Sequence, residues 1–86
     1  MSKDILHTVL SLSESVAIQC GLMATLTRHA HVDGGRSTTV QIRLVPDHIA
    51  TTSDDWLFLM AYSDDDLHRL RDQLADFIAE NRRAAA

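Results

Sequence analysis

The sequence contains very little cysteine, glycine or proline: one, three and one residues respectively in a chain of 86. With only Cys20 present, a disulfide within the chain is excluded, which is typical of a reducing compartment. We therefore expect a cytoplasmic protein. The low glycine and proline content also argues against a low-complexity chain.

Long apolar runs are absent as well. No run reaches the roughly 18 residues that a membrane-spanning helix needs. The first four residues, Met-Ser-Lys-Asp, lack the charged-then-apolar layout of a secretory signal. The sequence predicts no membrane partner.

Basic residues are missing from one long stretch. Residues 47–66 hold six acidic residues and no Lys or Arg, and the net charge of the chain is −4. A segment of this kind repels phosphate, and no basic stripe is present elsewhere, so direct nucleic-acid binding is not expected. The candidate acidic patch consists of Asp54, Asp55, Asp64 and Asp65.

The length of 86 residues fits one domain, 1–86, with residues 82–86 predicted as a frayed tail. Apolar residues make up 45% of the chain, close to the globular average.

Residues 16–32 alternate between apolar even positions and polar odd positions. Among the even positions only Arg28 is not apolar, which predicts strand structure with a bend or bulge at Gly21. Arg28 itself is expected at a sheet margin, or paired with an acid across a dimer interface.

A turn at Asp33-Gly34-Gly35 connects this segment to residues 39–44, which alternate in the same way. A three-residue loop with Gly35 in the left-handed conformation predicts a hairpin that places Val32 opposite Arg36. Arg28 would then lie opposite Val40, so that even positions meet even positions.

Residues 56–62 are apolar at both parities, which predicts a central strand covered on both faces. Ser63 and Asp66 form a capping-box pattern that predicts the start of a C-terminal helix. Asp65 and Arg69 are spaced to form an ion pair on this helix. Its apolar stripe consists of Leu67, Leu70, Leu74, Phe77 and Ile78.

Residues 4–13 are ambiguous between strand and helix. We favour a strand, because Thr, Val and Ile are frequent and charge is sparse. As a helix, the segment would have a stripe of Ile5, Leu6, Val9, Leu10 and Ser13. A longer alternative is a helix that extends from Ser2 to His31 and stops at Gly34-Gly35. The predicted fold is therefore α+β: an antiparallel sheet of three or four strands in the order β-β-β-β-α, with one helix packed on one face.

The aromatic residues Trp56, Phe58 and Tyr62 share one parity, and we expect the helix to cover that face. Leu57 and Leu59 would then lie on a face that nothing in the chain covers. A large exposed apolar surface usually marks an interface. The candidate apolar interface consists of Trp56, Leu57 and Leu59.

His29 and His31 share one strand face and form a weak candidate metal site that lacks an obvious third ligand. Cys20 is expected to be a buried hydrophobe. No catalytic motif or phosphate-binding loop is present, so we expect neither an enzyme nor a cofactor.

Three functions are compatible with these patterns. The first is a small non-enzymatic protein–protein interaction module that forms a homodimer. The second is an acidic inhibitor or decoy, of the phage or mobile-element type, which presents the carboxylates of residues 47–66 to a basic nucleic-acid-binding partner. The third is a histidine-based metal-binding protein.

Overall fold

A computed structural model describes residues 2–45, 49 and 51–82. Asp47 and the predicted tail beyond residue 82 lie outside the described residues. A π-helical turn at Val16–Cys20 extends the first helix, and short 3₁₀ turns at Ser53–Asp55 and Asp64–Asp66 precede the third strand and the last helix. The main elements are α1 (Ser2–Ser15), β1 (Ala24–Ala30), β2 (Arg36–Arg43), β3 (Trp56–Ala61) and α2 (Leu67–Asn81).

The α+β class is confirmed, with a three-stranded antiparallel sheet in the spatial order β1-β2-β3 and a C-terminal helix. The predicted β-β-β-β-α order is wrong in its first element, because the chain begins with a helix and the order is α-β-β-β-α.

The N-terminal segment is helical through Cys20, so the strand prediction for residues 4–13 and 16–20 is wrong. One stripe is buried at spacings of three and four residues and consists of Ile5, Val9, Ser13, Val16 and Cys20. Positions four apart share a face both in a strand and in a helix, and this overlap produced the false alternation. The buried Ser13 hydroxyl donates to the carbonyl of Val9 at 2.9 Å.

Gly21 ends this helix and is not a strand bulge. Its φ of 69° is left-handed, and its amide donates to the Ala17 carbonyl at 3.1 Å. A glycine adopts this conformation at a helix end at little steric cost. The alternative helix to His31 is also wrong, because β1 begins three residues later, at Ala24.

The β1–β2 hairpin keeps the predicted parity but not the predicted register. Arg28 lies opposite Thr38 and Ala30 opposite Arg36, a two-residue shift that leaves a loop over residues 31–35. The left-handed glycine in this loop is Gly34, with φ of 90°, and not Gly35. The Asp33 carboxylate accepts the Gly35 amide at 2.9 Å, which holds the loop closed without the predicted tight turn.

β3 is an edge strand and β2 is the central strand, so the prediction of a central strand at residues 56–62 is wrong. Val40 lies opposite Leu59 and Ile42 opposite Leu57, and all four side chains contribute to the core. The apolar residues at the even positions of β3 therefore lie on the opposite face of the sheet.

Both helices pack on the face that carries Val40 and Ile42. The α2 stripe is confirmed, because Leu67, Leu70 and Leu74 are fully buried. The buried apolar core consists of Ile5, Val9, Val16, Cys20, Val40, Ile42, Ala61, Leu67, Leu70, Leu74 and Ile78.

The start of α2 differs from the predicted capping box. A 3₁₀ turn at Asp64–Asp66 comes first, and the Ser63 side chain makes no capping hydrogen bond. The Asp66 carboxylate accepts the Tyr62 amide at 3.1 Å. Arg69 pairs with Asp66, three residues away, and not with the predicted Asp65.

Candidate protein-interaction surfaces

One face of the sheet is not covered by either helix, and we call it the open face. Because strand side chains alternate, the paired registers assign its residues directly. No helix or strand in the described part of the chain packs on it. The open face consists of Thr25, Thr27, His29, Ser37, Thr39, Gln41, Arg43, Trp56, Phe58 and Met60.

The aromatic residues lie on this open face, which reverses the predicted orientation of β3. Phe58 is 52% exposed, and Trp56 is partly buried at the start of the strand. Leu57 and Leu59 lie on the helix-covered face and pack against the core. Of the predicted apolar interface, Trp56 is therefore on the uncovered side of the sheet, whereas Leu57 and Leu59 are not.

Arg43 gives the open face a positive charge next to its aromatic residues. Its guanidinium carbon lies 5.9 Å from the centre of the Trp56 ring, and its Nη2 donates to the Ile49 carbonyl at 2.7 Å. An arginine over an indole contributes about 0.5–1 kcal/mol at an exposed site. No strand residue on either face is acidic, so the negative charge of the chain lies elsewhere.

Arg28 lies on the edge strand β1, as the sheet-margin prediction requires, and pairs with an acid of its own chain. Its Nη1 donates to the Thr38 hydroxyl at 3.0 Å and to the Asp64 carboxylate at 3.1 Å. Arg36 approaches the same carboxylate at 4.0 Å. Arg28 therefore does not need an acidic partner across a dimer interface.

The four carboxylates of the predicted acidic patch do not have the same surroundings. Asp64 is paired with Arg28, and Asp55 accepts the Thr52 amide at 2.9 Å in the turn before β3. Asp54 and Asp65 are exposed. Two of the four candidate carboxylates thus stabilise local structure, which weakens the basis for an acidic surface.

Asp66 and Arg69 join the first turn of α2 to the end of β3. Arg69 donates from Nε to the Asp66 carboxylate at 2.8 Å and from Nη2 to the Met60 carbonyl at 2.7 Å. The Arg69 hydrogen bonds and the Tyr62 amide lower the pKa of Asp66 from 3.8 to about 2. The outer edge of β3 is therefore partly covered where the strand ends.

We expect the stabilisation from Asp66 to depend on pH. Because its folded-state pKa is lowered, its contribution is complete above pH 3.8 and is lost as the pH falls through about 2. Asp66→Asn should be less stable than wild type at pH 6, and the difference should shrink towards pH 2. Urea denaturation at both pH values measures it, with the exposed Asp65→Asn as the matched control. A difference that stays constant down to pH 2 would show that Asp66 does not stabilise through its charge.

His29 and His31 are both neighbours of Ser37. His29 is exposed and lies opposite Ser37, whereas His31 follows the strand and its Nε2 lies 3.0 Å from the Ser37 hydroxyl oxygen. Within residues 2–45, 49 and 51–82, no group of three or more His, Cys, Asp or Glu side chains could hold a metal ion.

A second apolar surface lies beside the edge strand β1. A groove of about 360 Å³ lies between the N-terminal helix and β1. Ile18 is 74% exposed and Leu10 is 42% exposed at this groove. Sequence reasoning missed it because Ile18 was assigned to a strand face. The groove is lined by Leu10, Ser13, Glu14, Ala17, Ile18, Ala24 and Leu26.

Comparison with known proteins gives no match among protein-family models, curated proteins or solved structures. None of the helices described here is both long enough and apolar enough to cross a membrane.

Proposed function

We propose that this protein is a small non-enzymatic interaction module that binds a protein partner through the open face. One observation supports this proposal: both helices pack on the same face of the sheet. The other face is left uncovered, and Phe58 lies half exposed on it, between Trp56 and Met60. In small proteins the apolar face of a sheet is usually covered by other elements of the fold. Exposed aromatic residues on an uncovered face are typical of an interface.

The chemistry of the open face favours one kind of partner. Among its strand residues Arg43 and His29 are ionisable and none is acidic, and Arg43 already has partners within the chain. Threonine and glutamine side chains supply neutral hydrogen-bonding groups around the aromatic residues. We infer a protein segment that places an apolar side chain against Phe58 and hydrogen-bonding groups against the neighbouring threonine and glutamine side chains.

Several side chains that could be reactive instead contribute to the structure, which supports a non-enzymatic function. The Cys20 thiol is buried in the core. Asp64 and Asp66 are held in ion pairs with arginines.

The test compares two lysine substitutions on different surfaces, Phe58→Lys and Ile18→Lys. A partner captured by the wild-type chain is purified, and its affinity for each variant is measured by calorimetry. Trp56 is the only tryptophan of the chain, so its fluorescence reports contact with the open face. Phe58→Lys should weaken binding by about 30-fold, the effect of losing an aromatic hot spot, whereas Ile18→Lys should bind like wild type.

Two results would contradict the proposal. Binding that survives Phe58→Lys would remove the open face from the interaction. Binding that is lost in the double variant Asp54→Asn, Asp65→Asn, with Phe58→Lys unaffected, would favour the acidic decoy instead.

A further inference from the structure

We infer that a second copy of this chain binds along the outer edge of β1, forming a symmetric dimer with a continuous six-stranded sheet. This inference concerns a different surface from the open face, so it can fail or hold independently of the proposed function. It depends on two separate features of the β1 edge: its unpaired backbone groups and the apolar groove beside them.

The hydrogen bonds of the sheet show which backbone groups of β1 point outwards. Arg43 donates to the Met23 carbonyl at 2.9 Å, and His31 donates to the Gly35 carbonyl at 2.8 Å. In an antiparallel ladder these bonds direct the odd-numbered residues of β1 towards β2. The amides and carbonyls of the even-numbered residues, including Leu26, therefore point away from the sheet.

These outward groups have no hydrogen-bond partner in the described part of the chain. The other edge differs, because Arg69 occupies the Met60 carbonyl and Asp66 occupies the Tyr62 amide. Natural proteins block free strand edges with charge, proline or a covering element. The chain does this at the end of β3. On β1 the charge of Arg28 is paired with Asp64 of the same chain, and no covering element lies along the edge in the described residues.

The apolar groove lies on the same side of the molecule as this open edge. Ala24 and Leu26 belong to β1 and line the groove together with the exposed Ile18 and Leu10. A bound peptide strand would pair with the backbone at the edge of β1. It would leave most of the groove residues of the N-terminal helix exposed. A second copy supplies both a strand and its own Ile18 and Leu10.

Two-fold symmetry fits the pattern of β1. In an antiparallel pair of β1 strands, the residues whose amides and carbonyls point outwards must lie opposite one another. These are the even-numbered residues, so even positions pair with even positions. Placing Leu26 opposite Leu26 of the second copy keeps the two Arg28 side chains apart, and Ala24 then lies opposite Arg28 of the second copy. Both helix layers lie on the same face of the joined sheet, where the two grooves meet.

The size of this contact indicates a dimer of moderate strength. β1 has seven residues and an edge about 23 Å long. With the helix layer above it, each copy would bury on the order of 500 Å², near the lower limit for a specific interface. We therefore expect a dissociation constant in the micromolar range.

The experiment measures self-association by sedimentation equilibrium for the wild-type chain and three variants. Ile18→Lys places a charge in the groove, and Ala24→Pro removes an outward amide at the first residue of β1 without touching the β1–β2 ladder. Each should raise the dimer dissociation constant at least tenfold. Phe58→Lys, an exposed apolar residue on the open face, is the matched control and should leave it unchanged.

Hydrogen exchange gives a second readout that does not depend on substitutions. The Leu26 and Arg28 amides should exchange slowly in the dimer and rapidly on dilution, whereas the Thr27 amide should be protected in both states. A wild-type chain that stays monomeric at millimolar concentration would overturn the inference. So would a dimer that is weakened by Phe58→Lys but not by Ile18→Lys, or a dimer in which the Leu26 amide exchanges rapidly.

Discussion

Replacing Thr8 with proline is expected to destabilise the protein by about 3 kcal/mol or more. Thr8 lies in the middle of α1, and its side chain is exposed, so the substitution removes no core contact. Proline there removes a backbone hydrogen bond and its ring clashes with the preceding helical turn. The free energy of unfolding, measured by urea denaturation and circular dichroism, gives the effect.

Lys3→Pro is the matched control for this prediction. Lys3 lies in the first turn of α1, where the backbone amide has no acceptor within the helix. We expect a change within about 0.5 kcal/mol of wild type, because proline in the first helical turn removes no hydrogen bond of the helix. Equal and small effects at both positions would indicate that residues 4–13 do not form a helix in solution.

This first element also shows where sequence reasoning failed. A strand and a helix both place residues four apart on one face, so the spacing of Val16 and Cys20 does not separate them. The intervening Ile18 separates them, because a strand buries it and this structure leaves it 74% exposed. The exposure of a residue depends on tertiary contacts, which a single sequence does not contain.

The last helix was easier to predict, because its pattern has only one interpretation. The α2 stripe has helical spacing throughout, and Leu67, Leu70 and Leu74 are buried as predicted. Parity along the hairpin was also correct, but the register was not. A three-residue and a five-residue loop preserve the same parity, so alternation alone could not choose between them.

An uncovered sheet face was predicted, but the residues of β3 assigned to it were the wrong ones. Apolar residues at both parities of β3 correctly indicated that one helix layer cannot cover both faces. The sequence could not show which parity is covered, because Phe58 and Leu59 are both good core residues. Pairing with β2 decides it by placing Leu59 beside the buried Val40.

The ion pairs show a similar limit. Arg28 and Asp64 are 36 residues apart, and only the fold brings them to 3.1 Å. The acidic stretch was therefore interpreted as a uniform surface, whereas two of its candidate carboxylates have partners inside the chain. Long-range charge pairing of this kind has no signature in composition or spacing.

Thiol labelling tests directly which face of the sheet the helices cover. In a Cys20→Ala background, a single cysteine is placed at Phe58 on the open face or at Val40 on the covered face, where the native side chain is fully buried. Both variants are first checked for a wild-type circular dichroism spectrum. The labelling rate of each is then compared with its rate in denaturant.

We predict that the Phe58→Cys thiol reacts within about tenfold of its rate in the unfolded chain. The Val40→Cys thiol should react at least about 100-fold more slowly, because reaction there requires an opening that costs about 3 kcal/mol. Rapid labelling at position 40 together with protection at position 58 would mean that the helices cover the aromatic face, which would contradict the open face and the function proposed for it.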